Sequence, residues 1–256
     1  MSFRGVGQFT LAPGFQVRWG VVFDAAFGDV GPQYVGAHPE NPGSDLVIFD
    51  ESKQLGEGGF LYAYNATFSN DGELTTALSM EGGGFDNQFD IFGGNTLIPG
   101  FENRIRLYII YGNGEDHGAQ YIAGHPAIAF SEIIAFDQSK ELTVDGKFDY
   151  GVTLWNSGSS TTDFGLQGGQ VANQFTGSEV FTLAPGAQAG IITTFGNGDD
   201  QGPLFITAHP GNPGSELVAS GESKIRTLDN RIQYAETITN IGAFPTTFHI
   251  QGGGFA

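Results

Sequence analysis

Apolar and polar residues alternate along most of this chain, and the runs are short. RIQYAETITN (231–240) and TTFHIQ (246–251) alternate on either side of Asn240-Ile241-Gly242, and SELVAS (215–220) alternates alone. PLFITAHP (203–210) is an apolar run stopped by proline. This period of two predicts half-buried strands, with Thr, Ile, Phe and Tyr suited to a pleated surface. No apolar stripe at the helical period of 3.6 has useful length. The expectation is an all-β protein with six or seven strands per repeating unit and hairpins at the Asn-x-Gly turns.

The pattern repeats. LAPG (11–14), LIPG (97–100) and LAPG (183–186) are spaced by 86 and 86 residues. Tyr-x-x-Thr-x-x-Asn-x-Gly occurs from Tyr64, Tyr150 and Tyr234, and a glycine cluster follows each at 82–84, 168–169 and 252–254. Three landmarks at one period of about 85 predict a triplicated chain, with units at 1–90, 91–176 and 177–256. The chain holds three whole periods, as a closed pseudo-threefold arrangement requires; beads on a string would show the same count.

The motif Tyr-x-x-Thr-x-x-Asn-x-Gly, a strand, and then Phe-Thr-Leu-Ala-Pro-Gly resembles bacterial Ig-like β-sandwich modules over about half of each unit. The resemblance implies sandwich-like antiparallel units and no activity. It also implies that the hairpin precedes the LAPG strand within one module. Modules would then cross the repeat boundaries, and the strand at 9–23 would clasp the last hairpin at 234–254.

Composition narrows the function. The net charge is −18, which disfavours nucleic acid and anionic membrane surfaces. There are no cysteines, so disulfides, thiolate metal sites and cysteine nucleophiles are excluded. The start lacks the apolar run of a signal peptide, so a cytoplasmic protein, or one released by another route, is expected. No apolar stretch is long enough for a membrane-spanning helix.

Candidate chemistry lies in what is repeated. AHPENPGSDL (37–46), GHPAIAFSEI (124–133) and AHPGNPGSEL (208–217) are versions of one loop. They supply the candidate ligand-binding residues His38, Asn41, Ser44 and Asp45; His125, Ser131 and Glu132; and His209, Asn212, Ser215 and Glu216. His, Asn and an acid suit a neutral polar ligand, although His-Pro at a strand end also reads as a simple turn. No G-x-S-x-G stands around these serines, so no catalytic residue is assigned. Three of only four lysines, Lys53, Lys140 and Lys224, hold equivalent places, which predicts a salt bridge or inter-unit contact. GNGEDHG (112–118) and GNGDDQG (196–202) read as solvated turns rather than Ca²⁺ loops, and FDAAFGDVG spreads Asp24 and Asp29 without that pattern. Neither metal nor cofactor is expected.

Trp19, Trp155, Tyr34, Tyr62, Tyr108, Tyr111 and Tyr121 are too many to assign wholly to core, and sugars stack on such rings. The leading expectation is a non-enzymatic, multivalent, lectin-like protein binding glycans. The rival is a structural, self-assembling or protein-interaction repeat protein, a scaffold or toxin component, with no small-molecule site. A homo-oligomer fits either.

Overall fold

The computed structural model describes residues 2–23, 29–59 and 61–255. It is all-β, with several antiparallel sheets and no α-helix among the described residues. No helix is long and apolar enough to cross a membrane.

The strands fall into three groups along the chain. The first is β1 (Ser2–Leu11), β2 (Gln16–Phe23), β3 (Gln33–Pro39), β4 (Ser44–Leu55), β5 (Tyr62–Asn70) and β6 (Thr76–Gly84). The second is β7 (Asp86–Leu97), β8 (Ile105–Ile110), β9 (Gln120–Pro126), β10 (Glu132–Leu142), β11 (Phe148–Asn156) and β12 (Thr162–Gln170). The third is β13 (Ala172–Thr176), β14 (Phe181–Leu183), β15 (Gln188–Thr193), β16 (Phe205–Pro210), β17 (Ser215–Arg226), β18 (Ile232–Asn240) and β19 (Thr246–Gly254).

In the first group β1-β6-β3 form one sheet, while β2, β5 and β4 lie side by side in a second, larger one. Leu11, Val35 and Leu78 from the first sheet share a core with Leu46, Tyr64 and Phe68 from the second. β7-β12-β9 and β8-β11-β10 pair in the same order, as do β13/β14-β19-β16 and β15-β18-β17. Each of these groups likewise has its own apolar cluster.

Two expectations are corrected here. The Asn-x-Gly connections are not hairpin turns, because β5 and β6, β11 and β12, and β18 and β19 lie in different sheets. They are arches. The clasp fails too: β1 pairs with β6 and β2 with β5, all within the first 84 residues.

The arches explain the repeated motifs. Asn156 is fully buried. Its amide donates to Leu97 O and Ser160 O, both at 2.9 Å, and its Oδ1 accepts from Gly158 N at 3.0 Å. Asn70 and Asn240 make the same three bonds, to Leu11 O, Leu74 O and Gly72 N and to Leu183 O, Phe244 O and Gly242 N. One side chain thus ties the Leu of the Leu-x-Pro-Gly turn to the arch. A Cβ on Gly158 would stand 2.6 Å from Glu132 N and 2.8 Å from Phe130 O, so backbone approach dictates the glycine.

The long strands β4, β10 and β17 lie at the centre of the nine-stranded sheet. Each carries a bulge: Asp50, Asp137 and Gly221 have φ of 54°, 51° and 68°, at register shifts against β5, β11 and β18. A bulge bends a strand and increases its twist. Each strand therefore leaves one neighbour and meets another. Residues 132–135 of β10 pair with 51–54 of β4, residues 138–142 of β10 pair with 215–219 of β17, and residues 223–226 of β17 pair with 44–47 of β4.

Asn156→Ala should cost about 2–4 kcal/mol, because it strands buried carbonyls and an N–H, and Gly158→Ala should destabilise comparably. Urea unfolding checks both, and an unchanged midpoint for either would show the arch to be dispensable.

Candidate functional site

The repeated lysines follow the bulges directly, and each is buried. Lys53 lies 1 % exposed above the ring of Tyr62, 4.5 Å from its centroid. Its ammonium donates to Asp29 and to Gln167 Oε1, the latter at 2.6 Å. His125 Nδ1 stands 2.9 Å from the other Asp29 oxygen. Asp29 and Lys53 belong to the first strand group, His125 and Gln167 to the second.

The cluster recurs between the second and third groups. Lys140 donates to Asp116 and to Gln251 Oε1 at 2.9 Å, and His209 Nδ1 lies 3.0 Å from Asp116 Oδ2. It recurs between the third and first groups. Lys224 is 2.7 Å from Asp200 Oδ1 and 2.5 Å from Glu81 Oε1, and His38 Nδ1 is 3.1 Å from Asp200 Oδ2. A buried tyrosine closes each cluster: the hydroxyls of Tyr64, Tyr150 and Tyr234 donate to Asp29, Asp116 and Asp200. Each lysine is therefore salt-bridged to an aspartate of its own group and hydrogen-bonded across the seam, and Lys224 also makes a salt bridge to Glu81 of the next group. The loops at 112–118 and 196–202 are largely exposed turns, and within them Asp116 and Asp200 each hold a lysine ammonium. Asp24 lies outside the described residues.

Burial alone would raise these aspartates, but the histidine and lysine contacts overcome it and hold all three well below the usual carboxylate range. Burial lowers Lys53 and Lys140 to about 8, with the aspartates opposing that fall.

The rest of the His-Pro loop is occupied too, the serines and asparagines within their own group and the acids across the seams. Ser44, Ser131 and Ser215 are fully buried and donate to the loop carbonyls of Asn41, Ile128 and Asn212. Asn41 Oδ1 accepts from Ala77 N at 2.7 Å and Asn212 Oδ1 from Thr247 N at 2.8 Å. Glu132 takes Arg18 Nη2 at 2.5 Å and Ser52 Oγ at 2.6 Å. Glu216 takes Arg106 Nη2 at 2.6 Å and Ser139 Oγ at 2.7 Å. Asp45 is the odd member. Opposite Thr67 and Thr153 stand Arg18 and Arg106, but opposite Thr237 stands Gly190. With no arginine, burial raises Asp45 despite a bond from Ser223, and its Oδ1 is sealed without a donor.

The candidate residues thus gather at the seams, not around one shared open concavity. His38, Glu81 and Asp200 place ligand atoms within 4.8 Å of one another, spacing that a metal ion would accept. The Lys224 ammonium already sits against both carboxylates there. Of the aromatics, Tyr34 and Tyr121 are buried where the groups meet, while Trp19 and Tyr108 are about half exposed. Sequence pattern does not single out Arg18 and Arg106, and it marks Asp29 and the loops of Asp116 and Asp200 without their partners. The arginines' signal was position opposite repeated residues, which appears only once strands are paired.

A second set of acids lies where the bulges meet. Tyr34 donates to Glu222 and Tyr121 to Glu51, each across a seam. At the third equivalent place Phe205 replaces tyrosine and Gln138 replaces glutamate, and Gln138 bonds Ile122 N and O instead. Burial raises Glu222 to about 8, and burial with the neighbouring acids holds Glu51 and Glu236 well above their ordinary value.

No family model matches the sequence, and no curated protein or solved structure matches it significantly.

Three outcomes follow from the ionisations and seams. Glu51, Glu222 and Glu236 bind more protons folded than unfolded, so their contribution is full below about pH 4 and is lost as pH rises, for Glu222 through about 8. Asp29, Asp116 and Asp200 contribute above about pH 4 and lose it on further acidification. The thermal midpoint should therefore peak near about pH 5 and fall toward 8, with Glu222→Gln flattening the fall; a midpoint that rises from pH 5 to 8 would contradict this. Lys140→Met should cost about 3–5 kcal/mol by stranding Asp116, and the double variant with Asp116→Asn should cost less than the sum. Additive costs in that cycle would mean that the pair is not coupled. Gly190→Arg with Asp45→Glu should stabilise by about 1 kcal/mol, since a Cβ at Gly190 meets nothing within 4 Å; chemical denaturation measures it, and a loss of stability would refute the matched-seam reading.

Proposed function

We propose that this is a non-enzymatic structural or interaction protein. Three sandwich-like β units close around a pseudo-threefold axis into one scaffold. One observation carries the reading: each histidine and lysine written three times in the sequence is engaged across a seam between strand groups. Repetition of a binding site would have left those side chains facing a ligand. Repetition of a joint engages them with the next unit, as here.

The three-way pairing of β4, β10 and β17 supports closure. Both ends of each unit stay within it, since the first and last strands of each group join the same small sheet. On this reading the unit boundaries lie between β6 and β7 and between β12 and β13.

The outer ends of two seams support a protein partner. Leu74 and Leu228, from the first and third units, converge on Gly43 and are 50 % and 81 % exposed. Val144 and Phe244, from the second and third, converge on Gly214 and are 79 % and 53 % exposed. Exposed apolar pairs spanning two units suit a partner that reads the assembled body.

The test is a broad glycan array beside a melting curve, with wild type and His38→Ala/His209→Ala. The scaffold reading predicts no specific glycan signal and a lowered midpoint for the double variant. Glycan binding that the variant loses at an unchanged midpoint would return the loop to a sugar site and overturn the proposal.

A further inference from the structure

Where the three bulges meet, the structure leaves a cavity of about 240 Å³. The same four positions of each long strand line it: 48–51, 135–138 and 219–222, with Phe205, Ile206 and Glu236 completing the wall. It draws on all three strand groups at once, whereas each lysine cluster draws on two.

Its charge is one-sided. Asp50, Glu51, Asp137, Glu222 and Glu236 line it, and no lysine, arginine or histidine among the described residues does. Glu236 is 3 % exposed and stands two residues after Tyr234, where Ala66 and Val152 follow Tyr64 and Tyr150. Its carboxylate takes a hydrogen bond from the backbone of Thr237 and faces the charges of Glu222 and Glu51. Glu51 Oε1 is sealed from solvent with no donor. Buried carboxylates short of donors and counter-charge are costly, and a bound cation relieves that cost.

The kind of cation follows from spacing and wall. A bare divalent ion needs several oxygens around one point. Among the described residues only the His38, Glu81 and Asp200 set meets that spacing, and it lies elsewhere. The cavity is also partly apolar, walled by Ile48, Phe49, Phe136, Phe205 and Ile206. Aromatic and aliphatic walls with a few carboxylates recognise an ammonium on a hydrocarbon body.

We propose that this cavity binds a small organic cation, an aliphatic amine or diamine. Its ammonium groups pair with Glu51, Glu222 and Glu236, and its methylenes lie against Phe49, Phe136 and Phe205. The Tyr34 and Tyr121 hydroxyls hold Glu222 and Glu51 in place from across the seams. The opening lies where Asp50 and Asp137 are half-buried and Gly221 is exposed. This goes beyond the scaffold reading: a ligand gripped where all three units meet would stabilise the closed body.

The experiment is calorimetric titration of the full chain with 1,4-diaminobutane at neutral pH, in two buffers of different ionisation enthalpy. The expected result is one diamine per chain, with proton release as the cavity acids ionise, and a thermal midpoint that rises with diamine concentration. Glu51→Gln/Glu236→Gln should fold with a midpoint no lower than wild type and bind at least about 100-fold more weakly, about tenfold per lost charge pair. Ser220→Phe, which fills the cavity while keeping every carboxylate, should also lose binding. No saturable diamine binding to wild type would overturn the proposal, as would unchanged affinity in both variants. A one-to-one response to CaCl₂ with none to the diamine would overturn the organic class in favour of a metal.

Discussion

A lysine ammonium taken out of water must find anions and acceptors, and here no single strand group supplies them all. Lys53, Lys140 and Lys224 each take an aspartate from their own group and an amide or carboxylate oxygen from the next. The histidine of that next group holds the other aspartate oxygen. Separating the groups would leave a buried charge short of partners, a larger loss than the modest net gain of forming the pair. This asymmetry makes the clusters joints: they add little when made and cost much when broken. The bulges at Asp50, Asp137 and Gly221 serve the same joints by turning each long strand toward its second neighbour.

The three joints are alike but not identical, and their differences are matched across the seams. Where Tyr34 and Tyr121 point a hydroxyl, Glu222 and Glu51 receive it; where Phe205 has none, the facing residue is Gln138. Where Arg18 and Arg106 reach over, Glu132 and Glu216 answer; where Gly190 has no side chain, the acid shortens to Asp45. Glu81 stands where the other joints use Gln167 and Gln251, so the third cluster carries an extra negative charge. Such paired changes are expected of surfaces that pack on one another, and solvated turns have no need of them.

Much of this was legible in the sequence. The period-two alternation gave all-β, and the landmarks Leu11, Leu97 and Leu183 each end a strand, β1, β7 and β14. The lysines stood out because an acidic chain with few lysines keeps three in register. The arches were misread because Asn-x-Gly between two alternating runs looks the same whether the runs pair or part. Only the long-range bonds from Asn70, Asn156 and Asn240 to the Leu-x-Pro-Gly turns separate the two. The His-Pro loops were read for what they would bind, since His, Asn, Ser and an acid suit a ligand and a joint equally well. Their partner, Asp29, Asp116 or Asp200, lies in a loop of another group, beyond the reach of local pattern.

If these joints hold the strand groups together, the whole chain unfolds as one cooperative body. Scanning calorimetry tests it most directly, through the ratio of calorimetric to van't Hoff enthalpy for the intact protein. A single transition with a ratio of about one is expected. A ratio approaching about three, or three resolved transitions, would mean that the groups unfold independently and that the buried lysine clusters do not hold them together.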